Sequence, residues 1–272
     1  MKAYDLSFSA HLISPEWCAA RGTEGVGLLI CNLWTGNQSP AGVAVALRYA
    51  REAGMLTAGY LVPHAYQTPA YHLSQAKDAC GAEWAYLVFV AVDVEKVSDD
   101  PPTEQWTQAH LDESIALLEL MGQRPIIYTA RYFWNSTGLV RPDLPLWNAH
   151  YGLDGAPLPV DLGDPGYGGW ASCVGHQYQN SHDVDGVTVD SNEFADVWLL
   201  GMPATTGPSV PSEAPVVLQP DVPEAEIERL HRRWAVAEEM ELWAIDHAAQ
   251  LNAWAAEIKA EVVAEKVRLG LQ

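Results

Sequence analysis

Hydrophobic and polar positions along this chain switch repeatedly between two periods. Residues 2–7, 25–32, 55–62, 86–95 and 124–129 are runs of aliphatic, β-branched and aromatic residues, the composition of strands buried on both faces. The stretches between them repeat at helical spacing. Residues 15–21 read as a helical turn, and 39–54 carries Val43, Ala46, Leu47 and Ala50 on one face before stopping at Gly54. Helices are also predicted over 69–81 and over 103–121, the latter with Trp106, Ala109, Leu117 and Met121 and a stop at Gly122. Strand and helix in alternation predict a parallel sheet with covered faces. After Thr129 the pattern changes: 144–149, 173–178 and 186–190 read as short strands joined by Gly-, Pro- and Asp-rich loops without a helical pattern between them. The expected fold is therefore α/β, an irregular β/α barrel of the (β/α)5(β)3 type over residues 1–201.

The remainder is different material. Residues 202–223 scatter Pro203, Pro208, Pro211, Pro215, Pro220 and Pro223 among Thr, Ser, Val and Ala, as an extended, semi-rigid linker would. From 224 to 269 there is neither glycine nor proline, and Ile227, Leu230, Trp234, Ala237, Leu251, Ile258 and Val262 belong to a stripe with steps of three and four. This predicts a long amphipathic C-terminal α-helix over 224–272, either self-associating as a coiled coil or docking on a partner.

Composition narrows the function. A formal charge of −20 and a pI near 4.6 argue against nucleic-acid binding, which needs a basic footprint. No apolar run is long enough to span a bilayer and no signal segment opens the sequence, so synthesis in a cytoplasm is expected and no membrane partner. Cys18, Cys31, Cys80 and Cys173 are scattered without a C-x-x-C pair and are read as buried, reduced thiols. The histidines show no ligand spacing, and there is no phosphate-binding loop, so no metal and no cofactor are expected.

Candidate chemistry gathers at strand ends. Asp93 and Glu95 close the 86–95 run; two residues apart on a strand, they share a face with Cα atoms about 6.6 Å apart. Such acids do not titrate independently: one is raised and the other stays ionised, the arrangement used in glycosidic cleavage, although a D-x-E at a strand end also serves as a loop-facing pair, a cap or a cation site. In a closed barrel the first and last strands become neighbours, which would bring Asp5 and Asp190 to the same rim. Tyr60, Tyr128, Trp147, Tyr151, Trp170 and Tyr178 lie at or just after strand ends, where rings can stack on sugars or simply fill the core.

The series Asp5-Leu-Ser, Val92-Asp-Val-Glu, Gly122-Gln-Arg-Pro-Ile-Ile-Tyr-Thr, Pro145-Leu-Trp-Asn-Ala-His-Tyr, His176-Gln-Tyr and Val189-Asp-Ser-Asn-Glu-Phe resembles, in order and spacing, the lysozymes of glycoside hydrolase family 25 over residues 3–200. The resemblance implies a β/α barrel whose last strands lack helices, and a muramidase acting on the β-1,4 bond between N-acetylmuramic acid and N-acetylglucosamine in peptidoglycan. It also implies Glu95 as proton donor, Asp93 as the group that positions the acetamido substituent or stabilises charge, and Asp5 and Asp190 as further catalytic carboxylates. Trp147, Tyr151 and Gln177 match groove positions, with Tyr60, Tyr128 and Tyr178 as added substrate-binding candidates. The chain departs from the family pattern at Cys31–Gly36, where a lysine and a small residue are usual, and at Tyr60–Val62, where Tyr-His-Phe is usual. The tail lacks wall-binding repeats and suits attachment to a phage tail or other virion assembly, with action at the bacterial wall. Alternatives are a barrel that binds carbohydrate without turnover, and a free endolysin.

Overall fold

The computed structural model describes residues 1–64, 67–95 and 107–201. The expected linker over 202–223, the helix over 224–272 and the start of the 103–121 helix lie outside these residues. Among those described, eight strands close into a barrel in sequence order. They are β1 (Lys2–Leu6), β2 (Val26–Trp34), β3 (Leu56–Leu61), β4 (Leu87–Asp93), β5 (Pro125–Thr129), β6 (Leu146–Ala149), β7 (Gly175–Val184) and β8 (Val187–Phe194). Helices α1 (Pro15–Thr23), α2 (Val43–Glu52), α3 (Pro69–Cys80), α4 (Gln108–Leu120) and α5 (Arg131–Thr137) follow the first five strands, and a short α6 (Asp196–Leu200) follows β8.

Local chemistry sets the helix starts. The side chains of Ser14, Thr68 and Thr107 accept from the backbone N–H three residues on, and Pro15 and Pro69 occupy the first helical positions of α1 and α3, where a missing N–H costs nothing. α2 begins at Val43 rather than at 39, because Gly42 takes a left-handed φ of 83° and a Cβ there would stand 2.7 Å from the His11 backbone. α4 runs from its Thr107 cap.

Alternation divides the apolar residues into two cores. Outward-facing strand residues such as Leu29, Leu33, Val90, Val92 and Ile127 pack under the helices, while Ala3, Leu28, Ile30, Ala58, Phe89, Ala91, Ile126, Trp147 and Phe194 fill the barrel. The filling is a ring stack, with Phe89 5.4 Å and Trp147 5.6 Å from Phe194 between centroids. Gly175 stands in register between Trp147 and Phe194, and a Cβ on it would lie 2.4 Å from the Phe194 ring, so its bareness lets that ring in.

Two expectations need correcting. The sheet is parallel only through β7: β8 pairs antiparallel with both β7 and β1. Asp185 and Gly186, both with positive φ, form a tight turn, and a turn that short can only return antiparallel. Asp190 therefore does not end its strand but lies within it. Glu95, in turn, lies past the end of β4, whose last residue is Asp93.

Candidate active site

Inward positions toward the C-terminal ends of β1–β5 turn polar, and with Trp147 of β6 and Gln177 near the start of the long β7 they enclose a cavity of about 380 Å³. Asp5, Asn32, Tyr60, Asp93, Glu95, Tyr128, Trp147, Tyr151, Gln177 and Asp190 all line it. The described lining holds four carboxylates and neither Lys nor Arg. A larger cavity of about 1140 Å³ opens at the other end of the barrel, between residues such as Met55, Val88, Trp198 and Leu199. It is mostly apolar and its described lining contains no carboxylate, so we place the chemistry at the acidic end.

Register explains the convergence. Asp5 on β1 is directly opposite Asp190 on β8. Beyond Asp93, Val94 is pinned to β5 twice, donating its N–H to Tyr128 O at 2.9 Å and accepting from Thr129 Oγ1 at 2.7 Å. Glu95 thus leaves a fixed point and faces the same space as Asp93.

The four acids do not share one environment. Asp5 Oδ2 accepts from Asn192 Nδ2 at 2.7 Å and from Gln177 Nε2 at 3.1 Å. Asp190 Oδ2 accepts from the same Gln177 nitrogen at 3.0 Å, and its Oδ1 from the Ser181 N–H at 2.6 Å. Asp93 is different: its Oδ1 is buried without a partner. Burial, then the charges of Glu95 and Asp5, hold the Asp93 carboxyl well above its ordinary range. Glu95 is raised to about 7 by burial and then by Asp190. Asp5 is also raised, by burial first and the facing Asp190 second, with the Asn192 and Gln177 donors opposing; Asp190 is raised by burial, opposed by the Ser181 N–H. Lone acids crowded at low polarity hold protons, and donors shared among only some of them decide which give theirs up first.

Aromatic side chains make the floor and one rim. Tyr128 packs 4.5 Å from Trp147 and 6.4 Å from Tyr60, and donates its hydroxyl proton toward Gln177 Oε1 at 2.9 Å. Tyr60 O–H meets Ser7 Oγ at 3.3 Å. Tyr151, 37% exposed, and Phe8, 59% exposed, are the lining rings most open to a ligand. Trp170 is elsewhere, buried against Trp134 and Tyr167. Tyr178 is on the outer face against His176, because its neighbour Gln177 takes the inward position. Buried histidines have structural partners: His72 Nδ1 accepts from Trp34 Nε1, and His176 bonds His150 O and the Asp161 N–H. Among the described residues no group of three or more His, Cys, Asp or Glu is placed to hold a metal ion. All four cysteines are free and buried.

Two residues went unmarked in the sequence. Asn32, 4% exposed, faces the cavity with its Oδ1 unpartnered. Asn192, fully buried, links Trp147 to Asp5. The available signal was parity, since Asn32 is two residues beyond inward Ile30 and Asn192 two beyond Asp190.

The family model for glycosyl hydrolases family 25 matches residues 17–187. Both partners of the Asp5–Asp190 pair fall just outside that match, and barrel closure is what joins them to it. Solved structures share the fold: the bacterial lysozyme from Streptomyces coelicolor (18% identity, TM-score 0.56, covering 73% of this chain and 95% of its own), a muramidase from Acremonium alcalophilum (18%, 0.55, 72% and 93%), and a family GH25 lysozyme from Aspergillus fumigatus (17%, 0.53, 73% and 97%). No curated protein sequence matches the chain.

Proposed function

The chain belongs to glycosyl hydrolase family 25 and is a lysozyme-type glycoside hydrolase, and from that premise we propose that its acidic cavity hydrolyses the β-1,4 bond between N-acetylmuramic acid and N-acetylglucosamine in peptidoglycan. The observation that carries the reading is the division among the carboxylates. Glu95, raised to about 7, still holds a proton near neutrality and is the general acid. It gives that proton to the glycosidic oxygen as the bond to the anomeric carbon breaks; water then supplies the hydroxyl to that carbon and the proton that restores Glu95. Positive charge develops on the sugar ring in between. Asp5 and Asp190, whose amide and backbone donors oppose the burial that raises both, supply the compensating negative field as they ionise. Asp93, uncommitted to any protein donor, positions the acetamido group, with Tyr60, Tyr128, Trp147 and Gln177 beneath the sugar and Tyr151 beside it.

Residues 202–272 stand apart from catalysis in this reading. Their proline spacing and apolar stripe support a tether, and a phage tail or other virion structure is the assembly that would bring such an enzyme to a bacterial wall. Among the described residues no helix is long and apolar enough to cross a membrane.

The test is release of reducing sugar from purified peptidoglycan by the wild type and Glu95→Gln. Loss of general acid catalysis removes about 10² to 10⁴ in rate. Unchanged turnover in the folded variant sinks the role of Glu95. A wild type inert on several wall types would leave a carbohydrate-binding barrel instead.

A further inference from the structure

Trp147 Nε1–H is a donor with no acceptor capacity, and it points at Asn192 Oδ1 from 2.8 Å. That contact removes the usual ambiguity of a carboxamide. With its oxygen facing the indole, Asn192 must present Nδ2 to Asp5 Oδ2 at 2.7 Å, its second donor going to Asp190 O at 3.2 Å. Both residues are buried, Trp147 1% and Asn192 0% exposed, so water cannot substitute for either contact. Asn192 also pairs across the ladder with Gln177, the other amide on Asp5. By contrast, the Tyr128 hydroxyl on Gln177 could donate or accept, and it locks nothing alone.

We propose that Trp147 and Asn192 form a positioning relay that commits one oxygen of Asp5 to accepting a hydrogen bond, and so biases the cavity's protons away from Asp5 and toward Asp93 and Glu95. This rests on the glycosidase reading for its kinetic consequence but not for its chemistry. Asp5 is faced by Asp190 on β8, Asp93 and Glu95 at the end of β4, Tyr60 on β3, Tyr128 on β5, Tyr151 after β6 and Cys31 on β2. None of these can supply a positive charge. The amide donors are therefore what favours the ionised form of Asp5 against burial and a facing acid.

Asn192→Leu removes the donor, and Trp147→Phe keeps a ring while freeing the amide to flip. Two readouts separate the relay from the function. The first is the ionisation of Asp5 by carboxyl ¹³C NMR, which needs no turnover. Its titration should move up by about one pH unit or more in Asn192→Leu, the worth of one charge-assisted hydrogen bond, and by less in Trp147→Phe. The second is kinetic and is read in Asn192→Leu: kcat should fall about tenfold or more with its acid limb shifted the same way, while KM holds, since Asn192, unlike Trp147, is not among the cavity-lining residues. If Trp147 acts through Asn192, adding Trp147→Phe to Asn192→Leu should not move the Asp5 titration further. An unshifted Asp5 in the folded Trp147→Phe protein overturns the relay, as does a full additional shift in the double variant. Shifted titration with an inert wild type would keep the relay and remove the glycosidase reading.

Discussion

Glu95→Gln should stabilise the barrel at pH 8 while leaving its stability near pH 4 unchanged. A glutamate in an unfolded chain titrates at about 4.5, and in this fold Glu95 does so at about 7, pushed up first by burial and then by Asp190. Between those values the folded protein holds a proton that the unfolded chain has released. Stability therefore falls as pH rises through the window, and the loss is complete above 7. Each pH unit between the two values is worth about 1.4 kcal/mol, so the penalty at pH 8 is on the order of 3 kcal/mol. Glutamine keeps the shape of the side chain and never ionises, so it escapes this penalty. Urea unfolding of both proteins at pH 4 and pH 8 measures the difference directly. The expected result is a stability gain that appears only at the higher pH, in the same variant that loses turnover. A variant equally or less stable than wild type at pH 8 would mean that Glu95 is ionised without strain, and the general-acid assignment would lose its physical basis.

The same titration should appear in wild-type kinetics as a basic limb of kcat/KM near pH 7, absent if the proton donor is another group. Asn32→Leu tests the unpartnered amide: without a ligand or ordered water, deleting a buried unpaired acceptor should raise unfolding stability by about 1 kcal/mol, whereas a fall would show that bound water satisfies Oδ1. If Asn32 contacts the sugar, the same variant raises KM with little change in kcat. Truncation after Gly201 should leave a folded barrel with unaltered turnover, and sedimentation of the two forms should show any self-association leaving with residues 202–272; an unfolded truncated protein would place that segment in the barrel's own core.

Much of the barrel was legible because its strands are buried on both faces, so each reads as a continuous apolar run that cannot be confused with a surface helix. The carboxylate cluster was legible for a topological reason: closing the barrel makes β1 and β8 neighbours, which turns Asp5 and Asp190 from distant residues into a directly opposed pair. What escaped was direction and parity. Asp185-Gly186 is a two-residue hairpin signal, yet the β/α pattern upstream suggested another parallel strand, so Asp190 was expected at a strand end. Adjacent residues on a strand face opposite ways, so Gln177 and Tyr178 could not both look into the cavity. α5 went unmarked because Tyr132, Phe133 and Trp134 are consecutive; only Trp134 is buried, and seven residues are too few to show a stripe.

The antiparallel β8 also explains why the site can hold two kinds of acid. On a parallel strand, residues near the C-terminal end lead out into a loop, as Glu95 does, where a carboxyl finds few fixed donors. On β8, Asp190 lies mid-strand, paired with Asp5 of β1 and placed where the β7 register shifts between Gln179 and His182. Its own neighbours Ser191 and Asn192 pair with Tyr4 and Ala3 of β1, and with Gln179 and Gln177 of β7. That pairing puts Asn192 one inward step below Asp190 and level with Gln177, and from there its amide reaches Asp5. The bonded acids thus belong to the β1–β8 seam, and the unbonded acid Asp93 and the raised acid Glu95 to the end of β4. The separation of hydrogen-bonded from unbonded acids follows from strand direction, and a substitution that disturbs the β7–β8 turn should alter the protonation of Asp5 and Asp190 before it alters that of Glu95.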